Sequence, residues 1–328
     1  MGAAGRDFHN FNVLCREDPG RQVVAFTAAQ IPDIAGRTYP PELAGARYPD
    51  GIPIHPEEEL EQIVGDERAD EVWFAYSDVD YAHVMERAGR ATAAGAAFVL
   101  CSAQATMLAS SKPVVAVTAV RTGVGKSQTT RYVTRILKER GHKVAVIRHP
   151  MPYGELSKQI WQRYETYEDL DRHETTIEER EEYEPHIANG CIVYAGVDYA
   201  EILRRAEAEA GVILWDGGNN DTPFYRPDLQ LTLVDPHRPG HELSYYPGYT
   251  NLLLADLLLV NKVQTAPEEG LRQVLENCAR HNPRAKVIQC NSRITVDHPE
   301  LIAGKRALVV EDGPTLTHGG MEYGAGWC

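Results

Sequence analysis

The most constraining stretch of the chain is Val114-Val115-Ala116-Val117-Thr118-Ala119-Val120-Arg121-Thr122-Gly123-Val124-Gly125-Lys126-Ser127. A continuous apolar run of this length reads as a strand buried on both faces, which belongs in a parallel sheet covered by helices. Glycines then let backbone N–H groups converge on phosphate oxygens with no Cβ in the way. A helix opening at Lys126 adds its positive end. Val133, Ile136, Leu137 and Arg140 keep helical spacing, and Gly141 stops the helix. In such a loop Lys126 reaches the β- and γ-phosphates of ATP, with GTP as the alternative, and Ser127 ligates Mg²⁺. Arg121, Thr122, Gly123, Val124, Gly125 and Gln128 complete the expected cradle.

The common spacing asks for glycine where Val120 stands. The form Arg121 to Ser127 resembles the deviant loop of MinD-like and dethiobiotin-synthetase-like P-loop proteins. In that class an extra lysine often occupies the place of Arg121. The resemblance implies a phosphate contact from Arg121, across a homodimer; an exposed turn residue is the equal alternative. A second apolar strand, Val212 to Trp215, delivers Asp216 to its carboxyl end, followed by Gly217-Gly218-Asn219-Asn220-Asp221. Asp216 suits a carboxylate that holds Mg²⁺ directly or through water, and Asp221 is a weaker candidate. Leu257-Leu258-Leu259-Val260-Asn261-Lys262-Val263-Gln264 resembles a guanine-reading N-K-x-D motif. Gln264 replaces its aspartate, and glutamine both donates and accepts, so strict guanine selection is not expected. Asn261 and Lys262 are expected to pack against the base.

Basic clusters follow predicted strands: Arg148-His149-Pro150, Arg172-His173, and His237-Arg238-Pro239-Gly240-His241. Such strand-end residues suit a small phosphorylated anion beside the nucleotide, or ordinary surface loops. Metal binding by His237 and His241 is a lesser reading.

The pattern of elements implies an α/β chain of two parts. Residues 1–111 read as a Rossmann-like domain with strands Val23 to Phe26, Val72 to Ala75 and Ala97 to Leu100, and helices Glu57 to Val64 and Tyr81 to Ala94. Met1-Gly2-Ala3-Ala4-Gly5-Arg6-Asp7 looks like a glycine turn lacking the strand that should precede it. Residues 112–328 read as a doubly wound parallel sheet, with strands at Lys143 to Ile147, Gln230 to Val234, Leu257 to Val260, Lys286 to Gln289 and Ala307 to Val310. An acidic stretch near 155–190 interrupts it, read as a solvated helical insertion or as a mobile cover.

Several longer runs go together: Arg148 to Gly154, Asp169 to Glu174, Glu178 to His186, Tyr194 to Tyr199, Trp215 to Asp221 and Val234 to Glu242. They resemble the cyclic 2,3-diphosphoglycerate synthetase family, many of whose members are described only as predicted GTPases. The resemblance implies an ATP- and Mg²⁺-dependent ligase that closes 2,3-diphosphoglycerate into an intramolecular phosphoanhydride. Arg148, His149, His237, Arg238 and His241 are then expected to hold the substrate phosphates, and Lys126 with Asp216 to serve the migrating phosphoryl. A regulatory, metal-delivery or maturation GTPase is the alternative. Family members continue beyond Glu311 to Cys328, so the chain looks shortened at that end, and a non-catalytic remnant is a third reading.

Composition limits the partners. The formal net charge of −14 leaves no basic surplus to replace counterions on nucleic acid. No apolar run approaches the ~20 residues of a membrane span. The six cysteines are scattered without a C-x-x-C, which fits reduced cytoplasmic thiols. Cys101 and Cys290 are expected in the core.

Overall fold

A computed structural model describes residues 1–2, 5–29, 34–150, 155–310 and 324. The expectations at Met151 to Gly154, from Glu311 to Met321 and at Cys328 lie outside the described residues.

The first part contains β1 (Phe26–Ala28), β2 (Thr38–Tyr39), β3 (Ile52–Pro56), β4 (Glu71–Phe74), β5 (Val79–Asp80) and β6 (Ala97–Leu100). The expected single parallel sheet is divided. One small sheet has the order β1-β3-β2, and β4 pairs in parallel with β6. Met1 and Gly2 stand between the two. The Met1 amine donates to the Trp73 carbonyl at 2.7 Å, and Ala75 N–H donates to Met1 O at 3.0 Å. Gly2 N–H donates to Thr27 O at 2.9 Å. Elsewhere along the β1 and β4 edges no described strand intervenes, so each pair builds its own core. Phe8, Phe11, Phe26, Tyr39 and Ile52 pack in one. Leu60, Val64, Phe74, Val84 and Ala91 pack in the other. The glycine turn expected over Met1 to Asp7 gives way to a helix, Gly5–Leu14. It starts at a glycine because a Cβ there would lie 2.7 Å from His149 Nδ1.

The second part is one eight-stranded sheet. Its strands are β7 (Val114–Ala119), β8 (Val144–Arg148), β9 (Gln162–Tyr164), β10 (Ile192–Ala195), β11 (Val212–Trp215) and β12 (Leu229–Val234). Past β13 (Tyr245–Tyr246) come β14 (Leu257–Val260) and β15 (Lys286–Gln289). The order is β15-β14-β12-β7-β11-β8-β10-β9, parallel except for β9 against β10. Alternate residues of β7 serve the two faces: Val114 and Ala116 enter one core, Val117 and Ala119 the other. This dual burial explains why β7 carries no polar alternation. The helix Lys126–Glu139 packs back on the sheet through Val133 and Leu137. Thr130 and Thr134 are fully buried and return their hydroxyls to Lys126 O and Arg131 O. The expected strand at Ala307 to Val310 does not form; it finds no partner edge among the described residues. Cys101 and Cys290 are half-buried rather than core, and the five described cysteines are free.

The acidic segment is built into the sheet. β9 extends its edge, and the helices Tyr167–Arg172 and Ile177–Ala188 follow. Glu179, Tyr183, His186 and Ile187 of the second helix are buried. They occupy positions i, i+4, i+7 and i+8, one helical face made of mixed polar and apolar residues. The two parts of the chain meet where β13 pairs antiparallel with β5 and where the N-terminal helix lies on the second part. His9 stacks on Phe224 at 4.1 Å, and its Nε2–H donates to Thr106 O at 2.7 Å. No helix among the described residues is long and apolar enough to cross a membrane.

Three tests follow from this packing. A Cβ on Gly248 would sit 2.0 Å from the Val120 carbonyl, backbone that cannot yield without moving the phosphate loop. Gly248→Ala is expected to destabilise the fold by ~1–3 kcal/mol. Gly89→Ala, in open space within the helix Tyr81–Ala93, is expected to stabilise it by ~0.5–1 kcal/mol; chemical denaturation measures both. Burial, reinforced by the Arg6 charge, lowers the His9 pKa to about 3. The unfolded chain protonates His9 near ~6.5, so its contribution is fully present above that pH and is lost as pH falls toward 3. Each unit in that window costs about 1.4 kcal/mol, and His9→Asn is expected to flatten the pH–stability profile by that slope.

Candidate functional site

The phosphate loop crosses the carboxyl end of β7, in mid-sheet. Gly123 and Gly125 have φ of +79° and +102°, and a Cβ on Gly125 would lie 2.3 Å from Asn261 Nδ2. Asn261 donates that nitrogen to Val124 O at 2.8 Å, and Lys262 Nζ donates to Gly123 O at 2.8 Å. These two residues were expected at a base; here they hold the loop. In a trans peptide the N–H opposes the C=O, so anchoring these carbonyls turns the next N–H groups the other way, free for an anion. Gln128 is exposed and accepts from Ser292 Oγ at 3.1 Å. The backbone N–H of Gln264 donates to Asn291 Oδ1.

Lys126 Nζ donates to Asp216 Oδ1 at 2.6 Å and to the Gly217 carbonyl. Arg148 Nη1 lies 2.8 Å from the other Asp216 oxygen, and His186 Nε2 lies 3.4 Å from it. Arg148 also pairs with Glu182. Asp216 is fully buried. Burial opposes its ionisation, but Arg148, then Lys126 and His186, outweigh it and hold the carboxyl well below the usual range. Asp216 therefore stays charged, and both its oxygens are taken by cations.

That arrangement bears on Mg²⁺. Ser127 is exposed in the first turn of its helix, where a hydroxyl can join phosphate oxygens and water around the ion. Asp216 has no oxygen to offer until a cation leaves it. Among the described residues no three His, Cys, Asp or Glu side chains converge as a metal cage, so the lesser reading of His237 and His241 as a metal pair gains no support. The residues fit a cation held chiefly through Ser127 and the nucleotide itself.

Arg121 is not an exposed turn residue. It is buried, donates through Nε to Asp78 Oδ1 at 2.8 Å, and lies 3.7 Å over the Tyr245 ring. Its Nη1 donates to His241 Nδ1 at 3.0 Å. Burial, then the Arg121 charge, lowers the His241 pKa, so this imidazole accepts as the neutral form. Asp78 also takes the Thr122 N–H at 3.3 Å, and the Thr122 hydroxyl reaches Asn219.

The five residues expected to hold substrate phosphates do not converge. Arg148 and His149 end β8, whereas His237, Arg238 and His241 follow β12; β7 and β11 lie between. Three strand spacings set those ends about 14 Å apart. Arg238 pairs with Asp235 at 3.0 Å, and Lys262 pairs with the same carboxylate at 2.9 Å. His149 lies between Tyr199 OH, at 2.6 Å from Nδ1, and Asp221, at 3.3 Å from Nε2. His237 Nε2 meets the Thr265 hydroxyl at 2.9 Å. The cationic side chains of these clusters are thus already matched by carboxylates, because each strand end presents both signs.

Sequence reasoning missed Asp78, Glu182, His186 and Asp235, the anions and imidazole that complete these pairs. Asp78 has φ +58° and lies far from the loop in sequence. The only sequence trace of the others was their place in the runs Glu178 to His186 and Val234 to Glu242.

The ion cluster makes an ordered prediction. Asp216→Asn strips Lys126 and Arg148 of a shared buried partner and is expected to cost ~3–5 kcal/mol. Lys126→Met leaves Asp216 paired with Arg148 and is expected to cost less than half of that, while nucleotide affinity falls steeply. Urea denaturation and calorimetric nucleotide titration read the two effects.

No family model matches the chain. Of solved structures, hydrogenase maturation factor HypB from Archaeoglobus fulgidus is 14% identical with a TM-score of 0.35, over 57% of this chain and 83% of that one. LpxK from Aquifex aeolicus, solved with ATP, is 15% identical with a TM-score of 0.37, over 63% of this chain and 77% of that one. Among curated proteins, the arginine synthetase ArcE of Thermococcus kodakarensis is 63% identical over 327 residues, covering 100% of this chain and 73% of that protein. At that identity across its whole length, the chain belongs to the same family as this arginine synthetase.

Proposed function

We propose that the protein is an ATP-dependent synthetase that activates an oxygen of a small amino-acid substrate by γ-phosphoryl transfer and replaces it with nitrogen, forming a guanidino product of the arginine type. The observation that carries the substrate class is the pairing of cations around the loop. Arg121, Lys126, Arg148, Arg238 and Lys262 each lie within 4.0 Å of a carboxylate. A substrate with two phosphates would need such cations unpaired, whereas a zwitterion asks for balanced charge. The 63% identity with a protein named arginine synthetase supports the same reading.

The chemistry follows from the product. A guanidino group differs from a ureido group by one nitrogen in place of one oxygen. The ureido oxygen attacks the γ-phosphorus of ATP and ADP leaves. Ammonia then adds to the activated carbon, loses a proton, and inorganic phosphate departs. Loop N–H groups and Lys126, once it swings from Asp216 to the nucleotide, neutralise the migrating phosphoryl. Mg²⁺ supplies further neutralisation of the β- and γ-oxygens when bound. Asp216 keeps Lys126 positioned until nucleotide arrives, and Arg148 keeps Asp216 compensated after it leaves.

The second reading, closure of 2,3-diphosphoglycerate into a phosphoanhydride, rests on the long motif runs from Arg148 to Glu242. A regulatory GTPase is the third. One experiment distinguishes them. The protein is incubated with Mg²⁺ and ATP or GTP, with L-citrulline plus ammonium or with 2,3-diphosphoglycerate, and products are followed by phosphorus NMR and amino-acid analysis. Arginine formation that needs all of ATP, citrulline and ammonium, and that disappears in Lys126→Ala, is expected. A cyclic phosphoanhydride would replace this reading with the second, and substrate-independent GTP hydrolysis with the third.

A further inference from the structure

A cavity of about 400 Å³ opens between the helix Gly5–Leu14, the end of β6 and the loop after β11. Arg6, Asn10, Cys101, Thr106, Asp221 and Tyr246 are among its walls. No residue from Gly123 to Gln128 lines it, so it is separate from the phosphate cradle. The two are linked by one short segment: Asp216 contacts Lys126, and Asp221, five residues on, faces the cavity. Its size suits one small ligand.

The charges in its walls are unlike those around the loop. Arg6 donates through Nη2 to Thr222 O and, at 2.7 Å, to Thr222 Oγ1, and through Nη1 to Thr106 Oγ1 at 3.4 Å. Its guanidinium lies 4.0 Å over the Phe224 ring. Among the described residues no carboxylate lies within 4.0 Å of it, in contrast to the five cations named above. Its hydrogen-bond partners are neutral, and burial lowers its pKa, opposed first by the charge of Asp221, which stands beyond ion-pair distance. Asn10, one helical turn on and therefore on the same face, is buried, with Oδ1 lacking any hydrogen-bond partner. Asp221 supplies a carboxylate. Burial opposes its ionisation, but His149, Arg6 and the Ser77 hydroxyl keep it below the usual range.

A cation with no carboxylate in direct contact, one carboxylate and one idle amide oxygen describe the complement of an α-amino acid. We propose that this cavity is the amino-acid subsite, taking the α-carboxylate on Arg6 and the α-ammonium between Asn10 and Asp221. The side chain then runs along residues 216–221 toward the γ-phosphate. This assignment rests on the amino-acid reading of the function, and the test separates the two.

Calorimetry of the full chain with Mg²⁺–ADP would compare L-arginine with agmatine, which keeps the guanidinium but lacks the α-carboxylate. Wild type is expected to bind L-arginine at least 100-fold more tightly than agmatine. Arg6→Gln is expected to lose most of that preference, with ADP affinity unchanged, and Arg6→Lys to retain part of it. Ala103→Trp, which fills the cavity without touching its charges, is expected to weaken both ligands. On the unmodified protein, L-arginine is expected to slow alkylation of Cys101, read by peptide mass spectrometry, while Cys290 serves as the reference. If wild type prefers L-arginine but Arg6→Gln keeps the preference and Cys101 is not protected, the cavity assignment is wrong while the function stands. If wild type binds neither ligand, the functional reading and the subsite fall together.

Discussion

Asp216 is a carboxylate with no access to water, held charged by Lys126, Arg148 and His186. Removing the carboxylate would leave its cations without their shared buried partner, so the elements that supply them are constrained together. Those elements are the phosphate-loop helix, the end of β8, the end of β11 and the helix Ile177–Ala188. The acidic segment is therefore part of this cluster, because Glu182 pairs with Arg148 and His186 reaches Asp216. The same logic recurs past β12, where Asp235 holds Arg238 and Lys262, and Lys262 in turn holds Gly123 O.

A second framework is built from amide side chains. Asn251 Nδ2 donates to Asn220 O at 2.7 Å, and Asn220 Nδ2 donates to Val120 O at 2.9 Å. Asp78 N–H donates to Asn220 Oδ1 at 2.7 Å. Asparagine is suited to this work because it satisfies donors and acceptors at once without adding charge. The network links the first part of the chain, the loop after β11 and the approach to the phosphate loop by hydrogen bonds.

Much of the large sheet was legible in the sequence, for a physical reason. Strands such as Val114–Ala119 and Leu257–Val260 are buried on both faces, so their apolar runs are unbroken. Segments whose partners are distant were less legible. β5 and β13 are two residues each and exist through their mutual pairing. The helix Ile177–Ala188 hides its inward face because Glu179 and His186 share it with Tyr183 and Ile187. The first part was read as one sheet because its strands alternate with helices, yet alternation says nothing about whether neighbouring strands pair.

The sequence by itself determined that a glycine-bearing loop joins a doubly buried strand to a helix, since backbone freedom at Gly123 and Gly125 and the positive helix end are local properties. It also determined the residue types at the strand ends. Tertiary structure alone decided what those residues do. Arg121, Arg148 and Arg238 read as anion binders while their carboxylate partners were unknown, and Asp78, Glu182 and Asp235 reach them only through the fold. Charge matching depends on distance in space, and no spacing along the chain encodes it.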